Sequence, residues 1–214
     1  MQAHFNAKRS RIFTAGTAVF IAAALLLSGC SASNQAKPFQ MAVCGNPLDA
    51  AQVESYGAKL SSDMPQLTLE GQAPVLTPVL AGKGLTREDE ITGAAGQAKF
   101  TALIAAQEVD VAICTLDAAE IQARNESFMP LDQIFTAEEL AQLGDRQLCF
   151  ELTELKDGEE IPTGQYTPAC GVSLTSNSEL TAIFGDQPVG VFVADNSPNA
   201  SLAKEVMRQL AGLD

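Results

Sequence analysis

Lys99-Phe100-Thr101-Ala102-Leu103-Ile104-Ala105-Ala106-Gln107-Glu108-Val109-Asp110-Val111-Ala112-Ile113-Cys114 is the stretch on which the fold turns. Phe100, Leu103 and Ile104 recur at helical spacing, and Glu108 closes that segment. Val109 to Cys114 then forms a short, nearly unbroken run of Val, Ala and Ile. A strand buried on both faces reads as continuous apolar sequence rather than as alternation, because helices cover both sides of its sheet. Helix feeding directly into buried strand is the repeating unit of an α/β sheet.

Reading outward from that unit extends the rhythm. Upstream, Phe39 to Cys44 reads as a strand, and Asn46-Pro47 reads as the cap and first residue of a helix carrying Val53, Tyr56 and Leu60. Met64-Pro65 stops that helix, Leu67 to Glu70 is a short strand, and Pro74 to Leu80, broken by Pro78, is an edge strand or extended loop. Residues 81–96 read as a Gly-rich, charged loop ending Gly93-Ala94-Ala95-Gly96. Downstream, Thr115-Leu116-Asp117 caps a helix running to about Glu126, and Thr136-Ala137-Glu138-Glu139 is a capping box for a helix that Gly144 ends. Gln147 to Leu155 alternates with period two, and Asp157-Gly158 is a hairpin turn signal. Ser176 to Glu179 caps a short helix ending at Gly185, Pro188 to Ala194 is a buried strand, and Ser197-Pro198 caps a last helix with Leu202, Val206 and Leu210 inward. The predicted fold class is α/β: a mostly parallel sheet flanked by helices, with a small β-rich insertion at about 146–174.

The N-terminus is not part of that pattern. Lys8, Arg9 and Arg11 precede an apolar core from Ile12 to Leu27, which exits through Ser28-Gly29 to Cys30. Basic flank, short apolar core and small-residue exit make a secretory signal, and the core is shorter than the roughly 20 apolar residues of a spanning helix. Leu27-Ser28-Gly29-Cys30 resembles the lipobox of bacterial lipoproteins. That resemblance implies cleavage after residue 29, acyl chains of the palmitate kind on Cys30, and anchoring at the extracytoplasmic face of a cell membrane. The chain then divides into a signal at 1–29, a lipidated, small and polar tether at 30–38, and a domain at 39–214.

Loss of the signal changes the chemistry on offer. Residues 1–29 hold three of the 13 basic residues and none of the 26 acidic ones, so the mature chain carries ten against 26, a net −16. Such a surface repels nucleic acid, which is excluded as a partner. The lone histidine, His4, leaves with the signal. Without imidazole there is no Ser-His-Asp or Cys-His relay and no His-ligated zinc. Carboxylate-pair hydrolysis stays open by count, but aromatic platforms are few. A non-enzymatic module with no catalytic residue, metal or cofactor is expected.

Cys44, Cys114, Cys149 and Cys170 show no C-x-x-C spacing. An even count outside the membrane suggests two disulfides, with three connectivities available. If Cys44 and Cys114 end neighbouring strands, the pairing is Cys44–Cys114 with Cys149–Cys170; buried free thiols are the alternative.

Three pieces, Lys99 to Ile113, Met129-Pro130-Leu131-Asp132, and Val189 to Leu210, resemble segments of the extracellular solute-binding proteins of ABC importers, the type II periplasmic-binding fold. The resemblance implies a small-molecule binding module and a membrane protein as candidate partner. Residues 115–188 are too few for a second closing lobe, so it implies about one lobe. Open α/β sheets bind ligands at the carboxyl ends of their strands. That places Asn46, Thr115 and Asp117 at the candidate ligand site, with Gly93 and Gly96 offering backbone N–H groups at a helix start. Each has a structural alternative as a cap or a flexible hinge. The competing functional expectation is a structural or protein-interaction lipoprotein using the β-rich insertion as its contact surface.

Overall fold

The computed structural model describes residues 37–83, 86–175 and 178–213. The signal, Cys30, the tether to residue 36, and Ser176-Asn177 of the expected helix cap lie outside the described residues.

The chain runs β1 (Gln40–Gly45), α1 (Ala50–Asp63), β2 (Val75–Leu80), α2 (Arg87–Ala105), β3 (Val111–Thr115), α3 (Leu116–Arg124), α4 (Ala137–Leu143), β4 (Gln147–Leu148), β5 (Glu151–Lys156), β6 (Glu159–Tyr166), β7 (Gly171–Ser173), α5 (Ser178–Phe184), β8 (Val189–Val193) and α6 (Ala200–Leu210). Six strands form one sheet in the order β2-β1-β3-β8-β7-β4, and β5 pairs with β6 alone. β2, β1 and β3 are parallel, whereas β8, β7 and β4 join antiparallel. The sheet is therefore mixed, which corrects the mostly parallel expectation. A strand covered on both faces gives the same apolar run in either direction, so Val189–Val193 did not disclose its polarity.

Alternation along the strands sorts the core into two layers. Met41, Val43, Val111, Ile113, Val191 and Val193 face a layer covered by α1, α5 and α6. Ala42, Cys44, Ala112, Cys114 and Phe192 face the other, covered by α2 and α3. The second layer is built from small residues and phenylalanines. Phe192 stacks on Phe128 with centroids 4.6 Å apart, a geometry that adds roughly 0.5–1.5 kcal/mol beyond area burial.

Several local expectations shift. The first helix starts at Ala50 under Asp49, whose carboxylate accepts from Ala51 N (2.9 Å) and Gln52 N (3.2 Å), so Asn46 is not its cap. Most of the expected 81–96 loop is the first half of α2, which places Gly93 and Gly96 inside a helix. Pro65–Leu67 is a 3₁₀ turn, leaving only a Leu69–Gln72 bridge of the expected 67–70 strand. Asn199, not Ser197, precedes α6; Ser197 Oγ donates to Asp110 and accepts from Asn199 N. The Thr136 capping box forms, with both reciprocal bonds to Glu139.

Asp110 explains how β3 enters the sheet. Its carboxylate, 1 % exposed, accepts from Gln40 N (2.8 Å), Ser197 Oγ (2.6 Å) and Asn199 Nδ2 (3.1 Å). One side chain thus joins the starts of β1, β3 and α6. Buried carboxylates persist where such donors surround them.

Candidate functional site

The five expected ligand residues converge at the carboxyl ends of β1, β2 and β3, together with the 80–83 loop. Asp117, in the first turn of α3, accepts from Lys83 N at 2.6 Å. A Cβ on Gly82 (φ +106°) would lie 2.6 Å from that same carboxylate, so only glycine fits there. A Cβ on Gly93 would lie 3.6 Å from Asn46 Nδ2 and impossibly close to Gly82 O. A Cβ on Gly96 would lie 2.6 Å from the Leu80 carbonyl carbon, with the oxygen nearer still. The two glycines therefore let α2 press onto the backbone leaving β2. Both lie past the first turn of α2, where backbone N–H groups bond within the helix rather than face a ligand.

Thr115 and Asn46 are buried in the same region. Asn46 O accepts from Gln187 Nε2 at 3.0 Å. Thr115 stands at the cap position of α3 without making a side-chain cap bond, and its Oγ1 is buried and unpartnered. Its methyl packs where a Cβ on Gly45 would come within 3.0 Å. Asp117 and Asn46 are thus framework groups of a polar strand-end cluster.

The four cysteines hold free thiols. Cys44 and Cys114 are register partners on parallel strands, both fully buried. Burial pushes Cys114 well above the usual thiol range, and the neighbouring Cys44 adds to it. Facing residues on neighbouring strands point their Cβ bonds the same way, whereas a disulfide needs converging ones. The second expected pair differs. Cys149 is exposed, while Cys170 is buried and pushed up to about 11 by that burial, against a partly offsetting Thr167 hydrogen bond.

The β-rich insertion is an arm. β5 and β6 form a hairpin closed by Asp157 (φ +54°) and Gly158 (φ +88°), the left-handed pair a two-residue turn demands. Every residue of β6 is exposed. Leu155 is 77 % and Tyr166 61 % exposed. By register Leu155, Pro162 and Tyr166 share one face, and Ile161 lies on the other. Glu151, Glu154, Asp157, Glu159 and Glu160 surround them against Lys156 alone. Arg124, at the end of α3, pins the arm: its Nε donates to Glu151 O (2.7 Å) and its guanidinium pairs with Glu120 (2.5 Å) and Glu160 (3.3 Å). Arg124 carried no role in the sequence reading. Its signal was a lone cation among Glu120, Glu126, Glu151 and Glu160.

A shallow groove of about 460 Å³ lies between α1 and β2, lined by Val53, Gly57, Ala58, Leu76 and Pro78, with Glu54 its one titratable group. Among the described residues there is no cluster of metal-ligating side chains and no helix long and apolar enough to cross a membrane. Comparison with protein families, with characterised proteins and with solved structures found no match.

Proposed function

We propose that this chain is a lipid-anchored, extracytoplasmic and non-enzymatic protein-interaction module, with the β5–β6 hairpin as its contact arm. The observation that carries this reading is the full exposure of β6 together with Leu155 and Tyr166. A two-stranded hairpin is marginally stable in water, and Tyr is enriched where proteins meet. Arg124 ties the arm to α3 through Nε on Glu151 O and Nη1 on Glu160, while its Nη2 pairs with Glu120 of its own helix. The excess of carboxylates selects a partner whose facing surface is cationic with an apolar centre, and long-range attraction speeds their encounter. The lipid on Cys30 supplies the anchoring, keeping the arm near the membrane where such a partner is met.

A photo-crosslinking amino acid at position 166, in intact cells, tests the arm against the same probe at exposed Lys99. One discrete adduct from 166, lost on Leu155→Ser and weakened by salt, is the expected result. Identical adducts from both positions, or none from 166, would overturn it. Cys30→Ala releases the protein from membranes; unchanged retention refutes the anchor.

A second reading, one lobe related to solute-binding proteins holding a small molecule at the strand ends, draws on the convergence of Asn46, Thr115 and Asp117 there. A small molecule that raises the thermal midpoint, with the rise lost in Asp117→Asn, would favour it.

A further inference from the structure

We propose that a hollow where α1, α5 and α6 meet binds a small apolar monocarboxylate, its head on Arg146 and Tyr56 and its tail over leucines. The site shares no residue with the arm or with the strand-end cluster, and it stands whatever the arm contacts. The hollow holds about 410 Å³ and is lined by Tyr56 of α1, Leu180 of α5 and Leu210 of α6. Arg146, from the turn before β4, and Leu174 and Thr175, after β7, complete it. Its apolar floor belongs to the first core layer: Tyr56 and Leu180 are members, and Leu174 and Leu210 pack at the margin. A tail laid on that floor leaves water in proportion to its area.

Two polar side chains in the hollow have bonding capacity to spare. Tyr56 is only 8 % exposed, yet its hydroxyl makes no hydrogen bond among the described residues. A buried phenol ordinarily finds a partner. Burial, and after it the charge of Glu179, pushes Tyr56 up to about 12, so the hydroxyl keeps its proton and can donate. Arg146 is half-buried, and its Nε donates to Ser173 O at 3.2 Å. That bond steadies the guanidinium and leaves the Nη1–Nη2 end of the fork open. The other half-buried arginines, Arg124 and Arg208, pair with Glu120 and Glu139. Arg146 has no carboxylate partner among the described residues, in a chain with 26 acidic residues against 13 basic ones. A guanidinium removed from water without an acceptor is costly, and the open end of the fork matches a carboxylate with two parallel hydrogen bonds.

The surrounding charges set how many negative charges the ligand carries. Ala211 and Gly212, just past the end of α6, also line the hollow. A helix carboxyl end carries roughly half a negative charge, and Glu179 is near enough to act on Tyr56. The full charge of Arg146 outweighs the helix end for one carboxylate. A second carboxylate or a phosphate dianion would have to face those negative groups, and a cation would face the guanidinium.

Chemical-shift titration of the isotope-labelled mature protein with octanoate, kept below its micellar concentration, tests this. Saturable shifts at Tyr56, Leu174, Leu180 and Leu210 are expected. Arg146→Gln should weaken binding about tenfold or more, through loss of the charge-assisted pair, and Tyr56→Phe about threefold, through loss of one neutral hydrogen bond. Octanedioate and octylammonium should bind at least about tenfold more weakly than octanoate, by charge repulsion. N-acetyl-leucyl-leucine carries the same head on a peptide end, and its affinity relative to octanoate separates a chain terminus from a free acid as the source. Should Arg146→Gln fail to fold, the octanoate and octylammonium arms on the wild-type protein decide alone. Saturable shifts confined to another surface, no saturation with either carboxylate, undiminished binding to folded Arg146→Gln, or octylammonium binding as tightly as octanoate would each overturn the proposal.

Discussion

Gly96→Ala is the substitution on which packing and ligand-cradling accounts of the strand ends part company. Helix propensity alone favours the change by about 1 kcal/mol, because alanine restricts the unfolded chain where glycine does not. Sterics oppose it. The new Cβ would lie 2.6 Å from the Leu80 carbonyl carbon and 3.2 Å from Ala81 N. Restoring ordinary contact with the still nearer Leu80 oxygen means moving α2 and the 80–81 backbone apart by roughly 1.5 Å, a displacement of the kind that overpacking forces at about 1–3 kcal/mol. That backbone has little freedom to move. Ala81 is fully buried, and its N–H bonds Gly45 O at 3.2 Å. Stretching that bond adds roughly 1 kcal/mol.

The net expectation is a loss of roughly 1–3 kcal/mol, or about 3–10 °C in thermal midpoint for a domain of this size. Gly57→Ala in α1 is the matched control. Its Cβ would meet only the Leu76 side chain, at 3.2 and 3.3 Å, and a leucine tip can turn aside. That variant should keep wild-type stability to within roughly 1 kcal/mol, the helix gain offsetting the repacking. Urea denaturation followed by far-UV circular dichroism separates the two. If Gly96→Ala melts with Gly57→Ala, the close approach of α2 to Leu80 is not what glycine serves at that position.

Asp110→Ala removes the acceptor shared by Gln40 N, Ser197 Oγ and Asn199 Nδ2; with donors left buried, a loss of roughly 3–5 kcal/mol is expected, against about 1 kcal/mol for Ser197→Ala, both read from denaturant midpoints. Glu139 is held down to about 2, first by its hydrogen bonds from Arg208 and then by Thr136 N. A carboxylate whose pKa is lower folded than unfolded stabilises above the unfolded value, and the contribution disappears as pH falls from 4.5 toward 2. Glu139→Gln keeps a residue able to close the capping box but loses the ion pair, so its stability deficit should be present at neutral pH and vanish in acid; a deficit that persists unchanged through that window would refute the assignment.

The fold was legible where burial imposes one period on one segment. Val109 to Cys114 reads as a buried strand because both its faces are covered, and Asp157-Gly158 reads as a tight hairpin turn because both residues sit at positive φ. Strand direction was not legible, since β8 is as uniformly buried as β3 and runs the opposite way. Nor was the start of α2. Gly93 and Gly96 look like loop residues because glycine weakens an isolated helix, and only the backbone of Leu80 and Gly82, far off in sequence, explains why the helix needs them.

The candidate site follows the same logic. The residues expected at the strand ends do gather there, because topology puts the ends of β1, β2 and β3 side by side whatever the local chemistry. What each side chain does when it arrives depends on its partners. Asp117 finds Lys83 N, and the glycines find carbonyls, so a cluster chosen for its polarity is largely spent on joining loops to α2 and α3. The arm is the reverse case. Leu155 and Tyr166 occupy apolar positions that alternation alone would turn toward a core, yet among the described residues β5 and β6 pair only with each other and both side chains stay exposed. Apolar side chains kept in water lose the hydrophobic contribution that burial would give, about 25 cal/mol per Å². Covering them against a partner recovers it, which is why the unspent part of this molecule is its arm and not its strand ends.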